Sequence, residues 1–381
     1  MNAIKLSICI ATLNRGNFIG ETLESIVCQA SDDVEIVVLD GASTDNTGGV
    51  VRQYQERFTG LRYFCQKTSM GVDHDFAEAV NLAQGEYCWL FSDDDLLKPG
   101  AIRTVLEAIK GQYALIIANS VVCNADLSKV LQPQRLPFRA DRIYEAGENH
   151  RLLADTGDYL SFIGCVIIKR ELWDAREKEK YFGSFFVHVG VIFQSLLPER
   201  ALVIAKPLIT IRYGNASWLK KYFEIWMFKW PNLIWSFEHY PDAAKRPACH
   251  KEPWRRLRAL LLHRAKGTYT IDTYLKWLKP RLESSWARAA SRAMAHFPGR
   301  IANLLAVAYY LAPRRGRPAQ PLVLVDLMNS PFYFGKLLRP RSARSKLQSA
   351  TNPSQGTVSQ RPTAPDGISP LPLGKNDGQS T

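Results

Sequence analysis

Over roughly the first 100 residues, short apolar runs alternate with segments whose apolar residues recur at helical spacing. Leu6–Thr12 is followed by Phe18, Ile19, Thr22, Leu23 and Ile26, and Val34–Asp40 by a helical pattern through Val51 and Tyr54. Leu61–Cys65 leads into a segment from about Val72 to Ala83, with Gly85 at its end in the place of a C-cap glycine. Tyr87–Phe91 closes the series. Near-continuous apolar strands alternating with amphipathic helices call for an α/β fold, a doubly wound parallel sheet covered on both faces.

The fourth run ends abruptly in Ser92, Asp93, Asp94 and Asp95, then Leu96-Leu97-Lys98-Pro99-Gly100. Carboxylates at the C-terminal end of a buried strand lie where an open α/β sheet places its ligand, and they suit a divalent cation that holds a phosphate. Taken alone, the triplet could equally cap the helix that begins near Pro99. Thr12 and Asn14 follow the first strand, however, and Asp40 ends the second, so polar groups from three strands are expected at one sheet edge. Together they favour a nucleotide site.

Four ordered motifs carry a resemblance to the family 2 inverting glycosyltransferases of the GT-A fold. They are Ser7 to Arg15, Glu35 to Thr47 with Asp40 and Ser43, Gly71 to Gly85, and Asp93-Asp94-Asp95 before Pro99. The resemblance implies transfer of a sugar from a nucleotide-diphosphate donor, with Mg2+ or Mn2+ on the diphosphate. It implies that Thr12, Asn14, Arg15, Asp40, Ser43, Asp73 and Asp93 bind the nucleotide sugar, and that Asp94 and Asp95 face the metal. The chain departs from the family pattern at Ser92, where a first Asp is usual, and at Phe76 and Ala77, where Arg-Asn is common.

Two later stretches, Ser161 to Trp173 and Phe182 to Gly190, resemble the subgroup that includes abequosyltransferases of O-antigen assembly. In that likeness the second stretch stands where the wider family has its catalytic base, which makes His188 a candidate. Imidazole has a suitable pKa for accepting a hydroxyl proton near neutrality. Asp158 and Glu171 are the competing candidates, and a histidine among aromatic residues can also be a packed core residue. A lipid-linked saccharide acceptor follows from the subgroup likeness.

With 381 residues the chain can bury a full α/β core and a further helical region. We expect a GT-A domain over 1–215, divided into a nucleotide-sugar half (1–123) and an acceptor half (124–215). A helical, basic and aromatic extension over 216–340 and a disordered, Ser/Pro/Gly-rich tail over 341–381 would follow. The seven cysteines are scattered without a CxxC pair, which argues against a zinc ribbon or disulfide framework and for a reducing compartment. The polar start runs straight into the first strand without a signal-peptide pattern, so a cytoplasmic location is expected.

The net charge of +13 is unevenly distributed. Residues 1–110 hold 9 Lys/Arg and 16 Asp/Glu, and the remainder holds 40 and 20. Lysines interleave with aromatic residues from Trp218 to Trp235, a pattern that suits an anionic membrane interface, a helix packed on the catalytic body, or both on different faces. The apolar run Ile301–Leu311, with Arg314, Arg315 and Arg317 behind it, is too short to span a bilayer and points to peripheral association with the inner face of the cell membrane. No helix-turn-helix, zinc-finger or RNP pattern occurs, and no nucleic-acid partner is expected. A sugar nucleotidyltransferase would need a Gly-rich loop with a catalytic basic residue after the first strand, which Thr12 to Asn17 does not supply; a catalytically silent nucleotide-sugar binder is the other alternative.

Overall fold

The structure, a computed structural model, describes residues 3–215, 221–312 and 320–336. Its first half alternates as the periodicity predicts: β1 (Leu6–Thr12), α1 (Ile19–Val27), β2 (Val34–Asp40), α2 (Thr47–Arg57), β3 (Leu61–Cys65), α3 (Val72–Asn81), β4 (Tyr87–Phe91), β5 (Leu96–Leu97) and α4 (Ala101–Ile109). Then come β6 (Leu115–Asn124), β7 (Val130–Gln132), β8 (Arg142–Tyr144), β9 (Val166–Lys169) and the long β10 (Ala201–Tyr213). They form one ten-stranded sheet of order β3-β2-β1-β4-β9-β6-β10-β5, with β7 on β6 and β8 on β10.

Strands β1 to β4 pair in parallel, as expected, but β9 runs antiparallel between β4 and β6. The sheet is therefore mixed. This insertion reverses the chain, so residues following β9 emerge at the edge opposite to those following β4. Glu171, two residues past β9, starts the short helix Arg170–Asp174 at that opposite edge and is removed from the list of candidate bases.

Alternate side chains of each strand feed two cores. Ile8, Ile10, Ile36, Val38, Trp89 and Phe91 pack under α1, α2 and α4, whereas Cys9, Val37, Leu39, Cys88 and Leu90 face α3 and the helices Asn149–Thr156 and Val187–Phe193. The near-continuous apolar strands have this cause: both faces of the sheet are covered, so both alternating sets of residues are apolar.

A buried polar cluster joins β1, β2 and the turn before β4. Ser7 Oγ donates to Glu35 Oε1 at 2.6 Å, Gly85 N donates to Ser7 Oγ at 2.8 Å, and Arg62 Nη1 donates to Glu35 Oε2 at 3.0 Å. Each acceptor is satisfied, so the buried carboxylate is tolerated. The close approach needs a glycine: a Cβ at position 85 would lie 2.6 Å from Ser7 Oγ and 2.7 Å from Ser7 N.

Residues 1–334 make one compact unit, so the helices after residue 221 belong to the body that carries the sheet. Phe223, Ile225, Met227, Phe228, Trp230, Leu233 and Ile234 are all buried, with Trp230 edge-on to Phe186 at 4.6 Å. Lys221 and Lys229 lie over the Phe185 ring at 5.2 and 4.7 Å. Of the readings of Trp218–Trp235, packing on the catalytic body therefore holds for 221–235; Trp218, Leu219 and Lys220 lie outside the described residues, as do Arg314, Arg315, Arg317 and the segment 341–381. All seven cysteines are free. Among the described residues no helix is long and apolar enough to cross a membrane.

Gly85→Ala is expected to destabilise the protein by about 2 kcal/mol, because the contact falls on backbone and on a satisfied hydroxyl that cannot move aside cheaply. Urea unfolding of the variant against the wild type measures this, and an unchanged midpoint would mean that the β1–β4 junction relaxes freely.

Candidate active site

Register brings the predicted residues to one edge. Thr12 is level with Asp40, Asp40 with Cys65, and Ile10 with Phe91, so the carboxylates just past Phe91 stand beside the end of β1. The loops are shaped by their own polar groups. Asn14, at φ 55°, donates its backbone N–H to Ser43 Oγ at 2.8 Å, and its side-chain oxygen accepts from Thr44 N at 2.8 Å. Ser43 N in turn donates to Asp40 Oδ1 at 2.7 Å. Asn14 and Ser43 thus hold the β1 and β2 loops together. Ala42 at φ 72° marks the same loop as strained, since an alanine rarely adopts the left-handed region.

Asp40 is buried at the end of β2, with Oδ2 accepting from Tyr63 Oη at 2.8 Å. Thr12 Oγ1 is buried without a hydrogen-bond partner, though near enough to Asp93 to favour its ionised form. Three further buried polar atoms close to these strand ends make no hydrogen bond: Gln66 Oε1, His74 Nδ1 and Asp75 Oδ1, the last two 3.9 Å apart. Asp75 lies against Gly41, where a Cβ would come within 2.8 Å of its Oδ2, and burial pushes its carboxyl above the usual range. Beside them opens a cavity of 360 Å³ lined by Leu39, Phe64, Gln66, Met70 and His74. Buried polar atoms without partners beside an open slot of mixed lining suit a ligand subsite, because water or a ligand must complete them. Asp75 was not among the expected site residues; its signal was a carboxylate in the first turn of a helix whose family counterpart carries Arg-Asn.

The aspartate triplet divides its work. Arg15 Nε donates to Asp93 Oδ1 at 3.2 Å, and Arg15 Nη2 pairs with Asp94 Oδ2. Asp94 also accepts from Ser92 Oγ at 2.5 Å and Asn215 Nδ2 at 2.9 Å. Asp93 is pushed up to about 6, chiefly by burial, against the pull of Arg15 and with Asp94 adding to the rise. Asp95 stands well above the ordinary carboxylate range, again from burial first and then from Asp94. Its Oδ1 accepts from Arg212 N at 2.8 Å, which ties the triplet to β10 and makes Asp95 a brace in place of the metal ligand expected. Arg212, near the end of β10, and Asn215, just past it, were not foreseen; an arginine at the end of a mainly apolar strand was their only trace.

Asp73 also departs from expectation. Its two oxygens accept from Phe185 N at 2.8 Å and Val187 N at 3.0 Å, fixing the turn into Val187–Phe193, so they are not turned to a donor. His188 on that helix is 1% exposed, with Nε2 2.8 Å from the Leu160 carbonyl oxygen. Burial lowers its pKa to about 4. A base must touch the acceptor and hold a proton near neutrality, and His188 does neither; it is a packed histidine. Asp158 differs: its side chain is 70% exposed, 3.7 Å from Arg135 Nη2, yet the protein around it raises its carboxyl pKa, with Arg135 pulling the other way. The neighbouring Tyr159 donates its hydroxyl to Ala118 O at 2.7 Å and feels the charge of Asp95.

Among the described residues there is no group of three or more His, Cys, Asp or Glu arranged to hold a metal ion. Asp93 and Asp94 converge on a single cationic group, the Arg15 guanidinium.

Glycosyl transferase family 2 matches residues 7–171. The chain is 30% identical over 230 residues to abequosyltransferase RfbV of Salmonella typhimurium, a match that spans 57% of this chain and 69% of that protein. It is 27% identical over 205 residues to the GalNAc(5)-diNAcBac-PP-undecaprenol beta-1,3-glucosyltransferase of Campylobacter jejuni, spanning 53% and 62% of the two chains. Among solved structures, S. aureus TarS 1-349 in complex with UDP-GlcNAc superposes with a TM-score of 0.50 at 15% identity, over 83% of this chain and 98% of that one, a likeness of fold. With its GT-A-like mixed sheet and its acidic strand end, the chain belongs to glycosyl transferase family 2 and is a glycosyltransferase.

Proposed function

We propose that the enzyme moves a sugar, with inversion, from a nucleotide-diphosphate donor onto a hydroxyl of a lipid-linked saccharide at a membrane surface, in assembly of a surface polysaccharide such as O-antigen. One observation carries the reading. Buried polar atoms without a hydrogen-bond partner (Thr12 Oγ1, Gln66 Oε1, Asp75 Oδ1) near Asp40, with an open slot beside Gln66, stand at the same sheet edge as a carboxylate pair neutralised by an arginine. The first set fits a nucleoside: the slot takes a flat base, and Asp40 keeps lone pairs for ribose hydroxyls. The names of the relatives support the acceptor, since the Campylobacter protein's includes an undecaprenol-linked saccharide.

The carboxylate pair fits a divalent cation. Asp93 and Asp94 are hard oxygen donors that already meet at one positive charge, and two carboxylates with a diphosphate and water are a usual Mg2+ or Mn2+ shell. Bound there, the cation would offset the charge that develops on the leaving diphosphate. Arg15 holds the two carboxylates in register in its absence and is placed to meet a phosphate oxygen when they are taken over. Asp158 accepts the proton of the acceptor hydroxyl, its raised pKa bringing it closer to the working pH. Arg135 keeps it ionised.

Binding of nucleotide sugars, screened by calorimetry with and without Mn2+, tests the donor class; no binding by any of them overturns the reading. Arg15→Ala in chelator should lose about 3 kcal/mol of stability, because two buried carboxylates lose their counter-charge, and Mn2+ should recover part of it. Equal unfolding midpoints for wild type and variant, in chelator and in Mn2+, would count against the shared cation position.

Asp158→Asn should slow transfer by roughly 10²–10⁴-fold with donor affinity kept. In the wild type the rate should fall with decreasing pH as Asp158 takes up its proton, at a pH above the usual carboxylate range. Arg135 lowers that pKa, so Arg135→Ala should move the acid limb of the pH profile to still higher pH. A limb that does not move, or persists in Asp158→Asn, assigns it to another group.

A further inference from the structure

The helix Gly299–Leu311 is packed by its small face and leaves its apolar face open. Inward, Ala302 is buried against Ala265 and Leu327, and Asn303 Nδ2 donates to the carbonyls of Ala265 at 3.0 Å and Leu327 at 2.9 Å. Outward lie Ile301, Leu304, Leu305, Ala308 and Leu311, a stripe at helical spacing, with Leu304 53% and Leu305 56% exposed. A surface helix ordinarily turns charged residues to water, so this helix is inverted relative to the rule. The preceding helix, Ser285–His296, exposes Trp286 at 71% together with Arg288 and Arg292.

Charge decides the occupant. Between residues 253 and 312 the chain has 11 Lys or Arg and two acids, Asp272 and Glu283. Arg258 lies over the Tyr309 ring at 5.3 Å and Arg300 opens the helix beside Ile301. A second copy would set this cationic surface against its like, and the segment 341–381, with five basic and two acidic residues, offers no complement either. Apolar residues with Arg300 at the head of their helix and Arg258 over Tyr309 match the headgroup zone of an anionic bilayer. At 13 residues the helix is about 20 Å long, too short to span the hydrocarbon and suited to lying along it.

We propose that the outward face of Gly299–Leu311, with its flanking arginines, is the surface by which this enzyme docks on an anionic lipid membrane, in place of the aromatic segment 221–235, which is consumed by packing. This deepens the reading of a membrane-borne acceptor and rests on it for its purpose. The face is tied to the active site within one body: Leu327 belongs to the helix Pro321–Asn329, whose Asp326 accepts from Tyr213 Oη at 2.9 Å and Lys266 Nζ at 2.7 Å. Tyr213 adjoins Arg212, which braces Asp95.

The test is co-sedimentation of the full chain with vesicles of phosphatidylcholine alone and of phosphatidylcholine mixed with phosphatidylglycerol, at low and high salt. Binding is expected on the mixed vesicles, with partial release by salt. Leu304→Glu with Leu305→Glu should weaken it by about tenfold or more. Arg292→Glu with Arg300→Glu, which leaves the apolar stripe intact and guards against misfolding of the first variant, should weaken binding mainly at low salt. Hydrolysis of nucleotide sugar without acceptor should be unchanged in both variants; its absence in the wild type, with vesicle binding kept, would count against the proposed donor site and leave the surface standing. Equal binding to neutral and mixed vesicles, binding by the Leu304 and Leu305 variant equal to wild type, or a stripe that mediates self-association in place of vesicle binding would each overturn the proposal.

Discussion

Carboxylates gathered at the end of a buried strand must be neutralised, and Arg15 does this in the folded enzyme. Its guanidinium bonds Asp93 and Asp94 from the loop after β1, so the two central strands are joined by charge as well as by ladder hydrogen bonds. Without that partner, three adjacent buried acids would repel one another and shed their charge by taking up protons, as the raised Asp93 and Asp95 already show. The arrangement is cationic at its centre and anionic around it. A diphosphate carrying its own divalent cation is complementary to both parts.

Much of the remaining architecture serves to aim this centre. β10 is the longest strand, and its far end returns three groups to the triplet: Arg212 N to Asp95, Arg212 Nε to the Asp94 carbonyl at 3.0 Å, and Asn215 to Asp94. The antiparallel β9 has the opposite effect, removing the residues after it from the site. Asp73, from α3, fixes the turn in front of His188 and thereby seals the histidine inside the fold. On the acceptor side the proposed base, Asp158, is by contrast largely exposed and within 3.7 Å of Arg135.

The C-terminal helices show how similar compositions can have different roles. Both 221–235 and 299–311 are rich in large apolar residues, but the first buries them against the sheet's helical layer and the second presents them to solvent. Periodicity does not separate these cases. Which face a helix turns inward depends on what small or polar groups its neighbours can accept, and here Asn303, bonded to two buried carbonyls, anchors the small face inward and leaves the leucines outside.

The alternation of buried strands and amphipathic helices, the strand ends at Thr12 and Asp40, and the acid triplet were all legible in the sequence, because each is encoded by local apolar period and by the abrupt end of that period. So was the family, which rests on ordered local motifs. The tertiary structure alone decided the rest. It made Asp95 and Asp73 braces, because their oxygens meet backbone N–H groups distant in sequence, and it buried His188 beyond the reach of an acceptor. It brought Arg212 and Asn215 to the site from a segment with no motif, and Asp75 from a motif whose usual Arg-Asn this chain lacks. Long-range contacts carry no local period, and a side chain's role in a site is set by which of its atoms remain unpaired once those contacts have formed.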